Sequence, residues 1–110
     1  MRIPEDAIVP DGKITKYLLV SRPWDDKSQF LTRAGFTLDN PVELERAIRQ
    51  MTEIYEASHD GENEYGTFYR IVGELDGPNG VSLPVVQIWL QWKLDGTYHF
   101  VTLKPQRSQR

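Results

Sequence analysis

At 110 residues with a formal charge of −3, the chain is long enough for one domain with its own core, and too acidic overall for a general nucleic-acid binder, which needs clustered Lys and Arg. Zero cysteines exclude disulfides, thiolate catalysis and cysteine-ligated metals, and they fit a reducing cytoplasm. The opening MRIPEDAIVP lacks a signal-peptide core, and no window approaches the roughly 20 apolar residues of a membrane-spanning helix, so the expectation is a cytoplasmic protein with no membrane contact.

In chain order, Pro4 and Pro10 make residues 2–12 an extended arm, with Asp11-Gly12 as a turn or cap. Lys13 to Val20 reads as a short helix with Ile14, Tyr17 and Leu18 on one face, and it is too brief to persist without docking. After Ser21-Arg22-Pro23, Asp25 caps a second helix with Asp26 in its first turn; Phe30, Leu31 and Ala34 form its buried face and Gly35 ends it. A third helix is marked by Asn40 as N-cap, Pro41 at the first position and Glu43 completing a capping-box-like arrangement. Leu44, Ala47, Ile48, Met51, Ile54 and Tyr55 recur at helical spacing, exposing Glu45, Arg46, Arg49, Glu53 and Glu56, and the helix is expected to run to about Ala57.

SHDGEN (58–63) reads as polar turn, and Tyr65 to Leu75 as a strand with Gly66 and Gly73 at bulges or close approaches. Gly77-Pro78-Asn79-Gly80 turns the chain back, and Pro84 is expected to break the start of the next strand. Val85 to Pro105 then forms a hairpin closed by Asp95-Gly96. A two-residue loop sets Trp92/His99, Leu90/Val101 and Ile88/Leu103 on an apolar, packing face. It sets Lys93/Tyr98, Gln91/Phe100, Trp89/Thr102 and Gln87/Lys104 on a wet one. The expected fold class is α+β, a single domain over 1–110: a helical half at about 1–58 packed on an antiparallel meander at about 64–105.

Chemistry-bearing patterns are sparse. Neither nucleophile elbow nor phosphate loop occurs, and no spacing of acids or histidines suits a metal, so neither metal nor cofactor is expected. His59 falls in a solvated turn, and His99, opposite Trp92, reads as a partly buried structural histidine. Asp25, Asp26 and Lys27 read as helix-start residues. The wet sheet face, with Gln87, Trp89, Gln91, Tyr98, Thr102 and Lys104, offers a cation, hydrogen-bond donors and flat rings, which is what cleavage of RNA without a metal requires; the same pattern suits a face covered by a partner. From Thr97 onward Lys104, Arg107 and Arg110 stand with no acid.

Lys13-Ile14 with Tyr17-Leu18-Leu19, Lys27 with Phe30, Gly35-Phe36, Tyr65-Gly66, the Gly77-Pro78-Asn79-Gly80 turn, Ile88-Trp89, and Val101-Thr102 with Pro105 together resemble an uncharacterised family of small bacterial domains related to RelE-like and barnase-like ribonuclease toxins. The resemblance implies a RelE/barnase-like arrangement of helices on an antiparallel sheet, and it points to Lys13, Lys27, Trp89 and Thr102. The chain departs from the family's Thr-Ala-Tyr-Pro with Thr102-Leu103-Lys104-Pro105, losing an aromatic and gaining a cation. The expected function is a toxin-like domain that binds or cleaves RNA without a metal. Lys13, Lys27, Thr102 and Lys104 would be its catalytic groups, and Trp89, Gln87, Gln91 and Tyr98 its substrate contacts. The expected partners are RNA or the ribosome and a cognate antitoxin protein, with no DNA. The alternative is a non-enzymatic protein–protein interaction module.

Overall fold

The computed structural model describes residues 1–20 and 27–106. The expected cap at Asp25, its neighbour Asp26, and Arg107 and Arg110 lie outside them.

The N-terminal arm crosses from one sheet edge to the other. Met1 and Ala57 exchange backbone hydrogen bonds, Arg2 donates to the Glu53 carbonyl, and Arg49 donates to the Ala7 carbonyl at 2.9 Å. Ile8 then pairs in parallel beside His99, so the arm ends as a rudimentary fifth strand. A first helical turn, α1 (Asp11–Lys13), runs directly into a π-helical turn, Ile14–Leu18. The wider π-turn, closed from Leu19 N–H to the Ile14 carbonyl, lets Ile14, Leu18 and Leu19 all reach the core.

Helix α2 (Ser28–Thr32) ends in a Schellman arrangement: Phe36 N–H bonds to the Leu31 carbonyl and Gly35 N–H to that of Thr32, with Gly35 at φ 93°. Helix α3 (Pro41–Ile54) buries Leu44, Ala47, Ile48, Met51 and Thr52. It stops short of Ala57, leaving Ile54 exposed. Asn40 does not cap it: its Oδ1 accepts from Thr37 and its Nδ2 donates to the Gly35 carbonyl, so the side chain closes the preceding loop instead.

The sheet has four antiparallel strands in sequence order: β1 (Ser58–Asn63), β2 (Gly66–Asp76), β3 (Ser82–Trp92) and β4 (Tyr98–Pro105). The expected polar turn at 58–63 is thus an edge strand. Pairing with β2 needs only backbone groups, Gly61 at φ 96° falls where the register shifts, and Asn63 Oδ1 closes the hairpin by accepting from Tyr65 and Gly66 N–H. Every β1 residue is exposed, and such a polar, bulged edge resists further strand addition. Pro84 does not break β3. Its carbonyl accepts from Gln106 just past the end of β4, so the N–H that proline lacks faces no ladder position.

The last hairpin differs from the two-residue expectation. Residues 93–96 form a four-residue loop held by Trp92 N–H to the Thr97 carbonyl and Gly96 N–H to the Trp92 carbonyl, with Gly96 at φ 75°. The register becomes Gln91/Tyr98, Leu90/His99 and Trp89/Phe100, then, across a bulge at Val101, Ile88/Thr102, Gln87/Leu103 and Val86/Lys104. The β3 faces are therefore the reverse of those expected. Val85, Gln87 and Trp89 point under the helices, and Val86, Ile88, Leu90 and Trp92 point away.

Two polar atoms make that burial possible. Trp89 Nε1–H donates to Gln87 Oε1 at 2.9 Å, and Gln87 Nε2 reaches the Ile48 carbonyl and the Met51 sulfur. A buried amide with its hydrogen bonds made is tolerated in a core. Trp89 then packs edge-on against Phe100 in the core.

Candidate functional site

The structure divides the eight residues expected to act. Gln87 and Trp89 are 0% exposed and their polar groups are spent on each other, so Trp89 presents no ring to a base. Gln91 and Tyr98 also lie on the helix side. Tyr98 packs against Tyr69 at 5.8 Å between centroids; burial, and then the neighbouring Tyr69, push its phenol pKa up. Lys13 and Lys27 converge on one ring: Lys27 Nζ donates to the Tyr17 hydroxyl at 3.0 Å, and the two ammonium groups stand 5.2 Å (Lys27) and 5.8 Å (Lys13) from its centroid. Tyr17 packs on the helix-side core, whereas Thr102 and Lys104 point from β4 to the opposite face. The four expected catalytic groups do not form one site.

The helix-free face carries the stronger constellation. Its centre is apolar, with Phe68 and Val72 from β2 beside Val86, Ile88 and Leu90 from β3. Its fringe is polar. One row across the strands reads Arg70, Ile88, Thr102; the next reads Phe68, Leu90, His99; a third reads Val72, Val86, Lys104. Residues in such a row stand about 5 Å apart strand to strand, and the row of Arg70 and Thr102 lies between the rows of His99 and Lys104.

The His99 ring is held on this face by two contacts. Its ring stacks on Trp92 with centroids 3.8 Å apart and planes 12° from parallel. Its Nε2 lies 2.7 Å from Thr97 Oγ1, and that hydroxyl donates to Asp95 Oδ1, also at 2.7 Å. Thr97 has one hydroxyl proton and gives it to Asp95, so the short contact to His99 requires Nε2–H as donor; Nδ1 is then the lone-pair nitrogen of the neutral ring. The Asp95 carboxyl is held below its ordinary pKa, first by the Thr97 hydroxyl, then by Thr97 N–H, with a smaller contribution from His99. The relay thus runs from carboxylate to hydroxyl to imidazole on consecutive same-side positions of β4 and its loop.

Backbone hydrogen bonds from neighbouring segments hold the relay's strand and loop in place. Ile8 N–H bonds to the Tyr98 carbonyl and Phe100 N–H to the Ile8 carbonyl, so the arm brackets His99 from the open edge. Lys93 N–H bonds to the Tyr65 carbonyl and ties the two hairpin ends together.

Reading the residues alone does not bring Asp95, Thr97 and Arg70 together with His99, which is partly buried, as expected. The loop brings the three together through side-chain hydrogen bonds, Thr97 to Asp95 and His99 to Thr97. Treating Asp95 as one of only two turn residues hides it. Among the described residues, no three of His, Asp and Glu come together as a metal-binding group, and no helix is long and apolar enough to cross a membrane.

Comparison with curated proteins gives no match. Among solved structures, the fold is similar to a chain of a contact-dependent growth inhibition toxin–immunity protein complex from Klebsiella pneumoniae 342, with a TM-score of 0.68 and 19% identity over 91% of this chain and 100% of that one. At that identity the likeness is one of fold. Residues 3–107 match the model of Domain of unknown function (DUF6883), and the chain belongs to that family.

Proposed function

We propose that the chain is a toxin-like domain of a growth-inhibition system and cleaves RNA at its helix-free sheet face without a metal. The observation that carries this reading is the Asp95–Thr97–His99 relay, on a face that also carries Arg70, Thr102 and Lys104. RNA carries its own nucleophile. His99 Nδ1 takes the proton of a 2′-hydroxyl, the 2′-oxygen bonds to the adjacent phosphorus, and the bond from phosphorus to the 5′-oxygen breaks. The leaving oxygen takes a proton from water, giving a 2′,3′-cyclic phosphate and a 5′-hydroxyl. Asp95 stabilises the imidazolium through Thr97, while Arg70 and Lys104 meet the charge that develops on phosphorus-bound oxygens and Thr102 donates to one of them. The shared fold with a chain of a toxin–immunity complex supports the toxin-system part of the reading.

The RelE/barnase-like relationship and the expected antitoxin belong to the same proposal. In it Lys13 and Lys27 lie off the reacting centre, and Trp89 and Gln87 support the sheet. A second reading, a non-enzymatic module, is favoured by one observation: Trp92 and Leu94 are 41% and 91% exposed on the same face.

The decisive assay incubates purified protein with total RNA and with translating ribosomes, each in EDTA. Cleavage ending in cyclic phosphate, lowered about 10²- to 10⁴-fold by His99→Ala and substantially by Thr97→Val, is the expected result. Intact RNA in both settings refutes the nuclease and leaves the module.

A further inference from the structure

Beside the relay, Tyr65, Leu90, Trp92 and Leu94 line a groove of about 500 Å³ at the hairpin ends of the helix-free face. Its size is within the roughly 300–1,000 Å³ of small-ligand sites. Two of its four walls, Tyr65 at 68% and Leu94, are mostly exposed side chains. Two are aromatic. Trp92 belongs to both features: His99 covers one part of its indole and the remainder lines the groove.

The walls are fixed by backbone. Lys93 N–H to the Tyr65 carbonyl joins the two loops, and Trp92 N–H to the Thr97 carbonyl holds the indole's strand end. Gly66, next to Tyr65, lies so close to the Gln91 carbonyl that any Cβ would collide with it, which sets the loops at their present separation.

We propose that this groove holds an unpaired nucleobase of the RNA strand whose phosphate lies at His99. The inference rests on the nuclease reading above and names its substrate class as single-stranded RNA. Two arguments favour a base over a protein side chain. The first is position: the groove shares Trp92 with the reacting imidazole, so an occupant sits one residue from the chemistry. The second is the lining: it is apolar and aromatic, with Lys93 on the loop between Trp92 and Leu94, which suits a flat ring attached to a phosphate. The lining side chains offer no amide or carboxylate to read a base edge, and Tyr65 has the one hydroxyl among them, so stacking dominates and base identity matters little.

The test uses the whole chain and two 2′-O-methyl hexaribonucleotides of equal charge, one with all bases and one abasic at its central positions. The 2′-O-methyl groups prevent cleavage, so binding is read alone. The intact strand should bind about tenfold tighter than the abasic one. Tyr65→Ala with Leu94→Ser should shrink that ratio to near one. Both side chains are mostly solvent-exposed, and circular dichroism checks that the variant is folded. Equal binding of the two strands by the wild type overturns the base site and hands the groove to a protein partner. An undiminished ratio in the variant overturns it as well.

Cleavage of the corresponding 2′-hydroxyl strand separates the two proposals. Base-dependent binding without any cleavage supports the base site and refutes the nuclease. Cleavage with base-independent binding refutes the base site alone.

Discussion

Replacing Gln87 by Leu is the sharpest test of which sheet face is buried. The amide is 0% exposed and its Oε1 is the acceptor for Trp89 Nε1–H. Leucine keeps most of the volume and removes the acceptor, so the indole N–H is left buried and unpaired, at about 1–3 kcal/mol. Losing the contacts from Nε2 to the Ile48 carbonyl and the Met51 sulfur adds little, because a helix carbonyl keeps its own intrahelical donor. Trp89→Phe makes the complementary loss, leaving Gln87 Oε1 without its donor and opening space beside Phe100.

The double variant removes both polar atoms at once. Its cost should fall short of the sum of the single costs by about 1 kcal/mol or more, since each single variant counts the same orphaned partner. Urea titration followed by far-ultraviolet circular dichroism measures all four proteins, with an unchanged slope confirming that the native state stays compact. A neutral Gln87→Leu together with strictly additive costs would refute the burial. The two-residue register, with Gln87 and Trp89 facing solvent, would then stand.

Gly66→Ala should be severely destabilising, because the new Cβ meets the rigid Gln91 carbonyl, whereas Gly12→Ala, with open space around it, should be mild; thermal melts of the two decide it. Gly96→Val should cost clearly more than Gly96→Asn, because Gly96 has a φ of 75°, and equal melting temperatures would contradict the loop. Leu44→Ala should cost about 2–5 kcal/mol in the same titration, and Arg49→Ala should exceed an ordinary surface change because Arg49 pins the arm through the Ala7 carbonyl. The Tyr98 phenol has its pKa raised above 10.0 in the folded chain, so its contribution is complete below the unfolded value and is lost as pH rises through the folded one; Tyr98→Phe should flatten the alkaline fall in stability measured from about pH 9 upward.

Much of this fold could be read from residue patterns because the relevant signals are local. The stripe from Leu44 to Met51 and the Asn40-Pro41 start locate α3, and the Gly77-Pro78-Asn79-Gly80 turn locates the reversal between β2 and β3. β1 is illegible because its pairing is entirely backbone and its residues are those of a turn. The β3 faces are illegible for a different reason. Val85, Gln87, Trp89 and Gln91 look wetter than Val86, Ile88, Leu90 and Trp92, and hydropathy alone buries the second set. Which set is buried depends on distant groups: the Ile48 carbonyl, the Met51 sulfur and the Phe100 ring against which the indole packs. The candidate site inherits the error. Thr102 and Lys104 are placed on an open face, as expected, but their companions there are His99 and Arg70 and not Trp89 and Gln91.

The reversed faces also bear on how an acidic chain would hold RNA. Asp60, Glu62 and Glu64 lie along the β1 edge and its turn, and Glu43, Glu45 and Glu53 lie on α3, behind the sheet. The helix-free face keeps Arg70 and Lys104 against Glu74 and Asp76, with Asp95 at its hairpin end. Two phosphate contacts on a single strand correspond to a salt slope of about −1.4, which is too shallow for charge to supply most of the affinity. The remainder has to come from apolar surface, and that face leaves Trp92, Leu90 and Tyr65 together at one end. Binding by this domain should therefore weaken little between low and moderate salt and strongly when the bases are removed. A steep salt dependence would place the RNA on a different surface, with Lys13 and Lys27 around Tyr17 as the cations in that position.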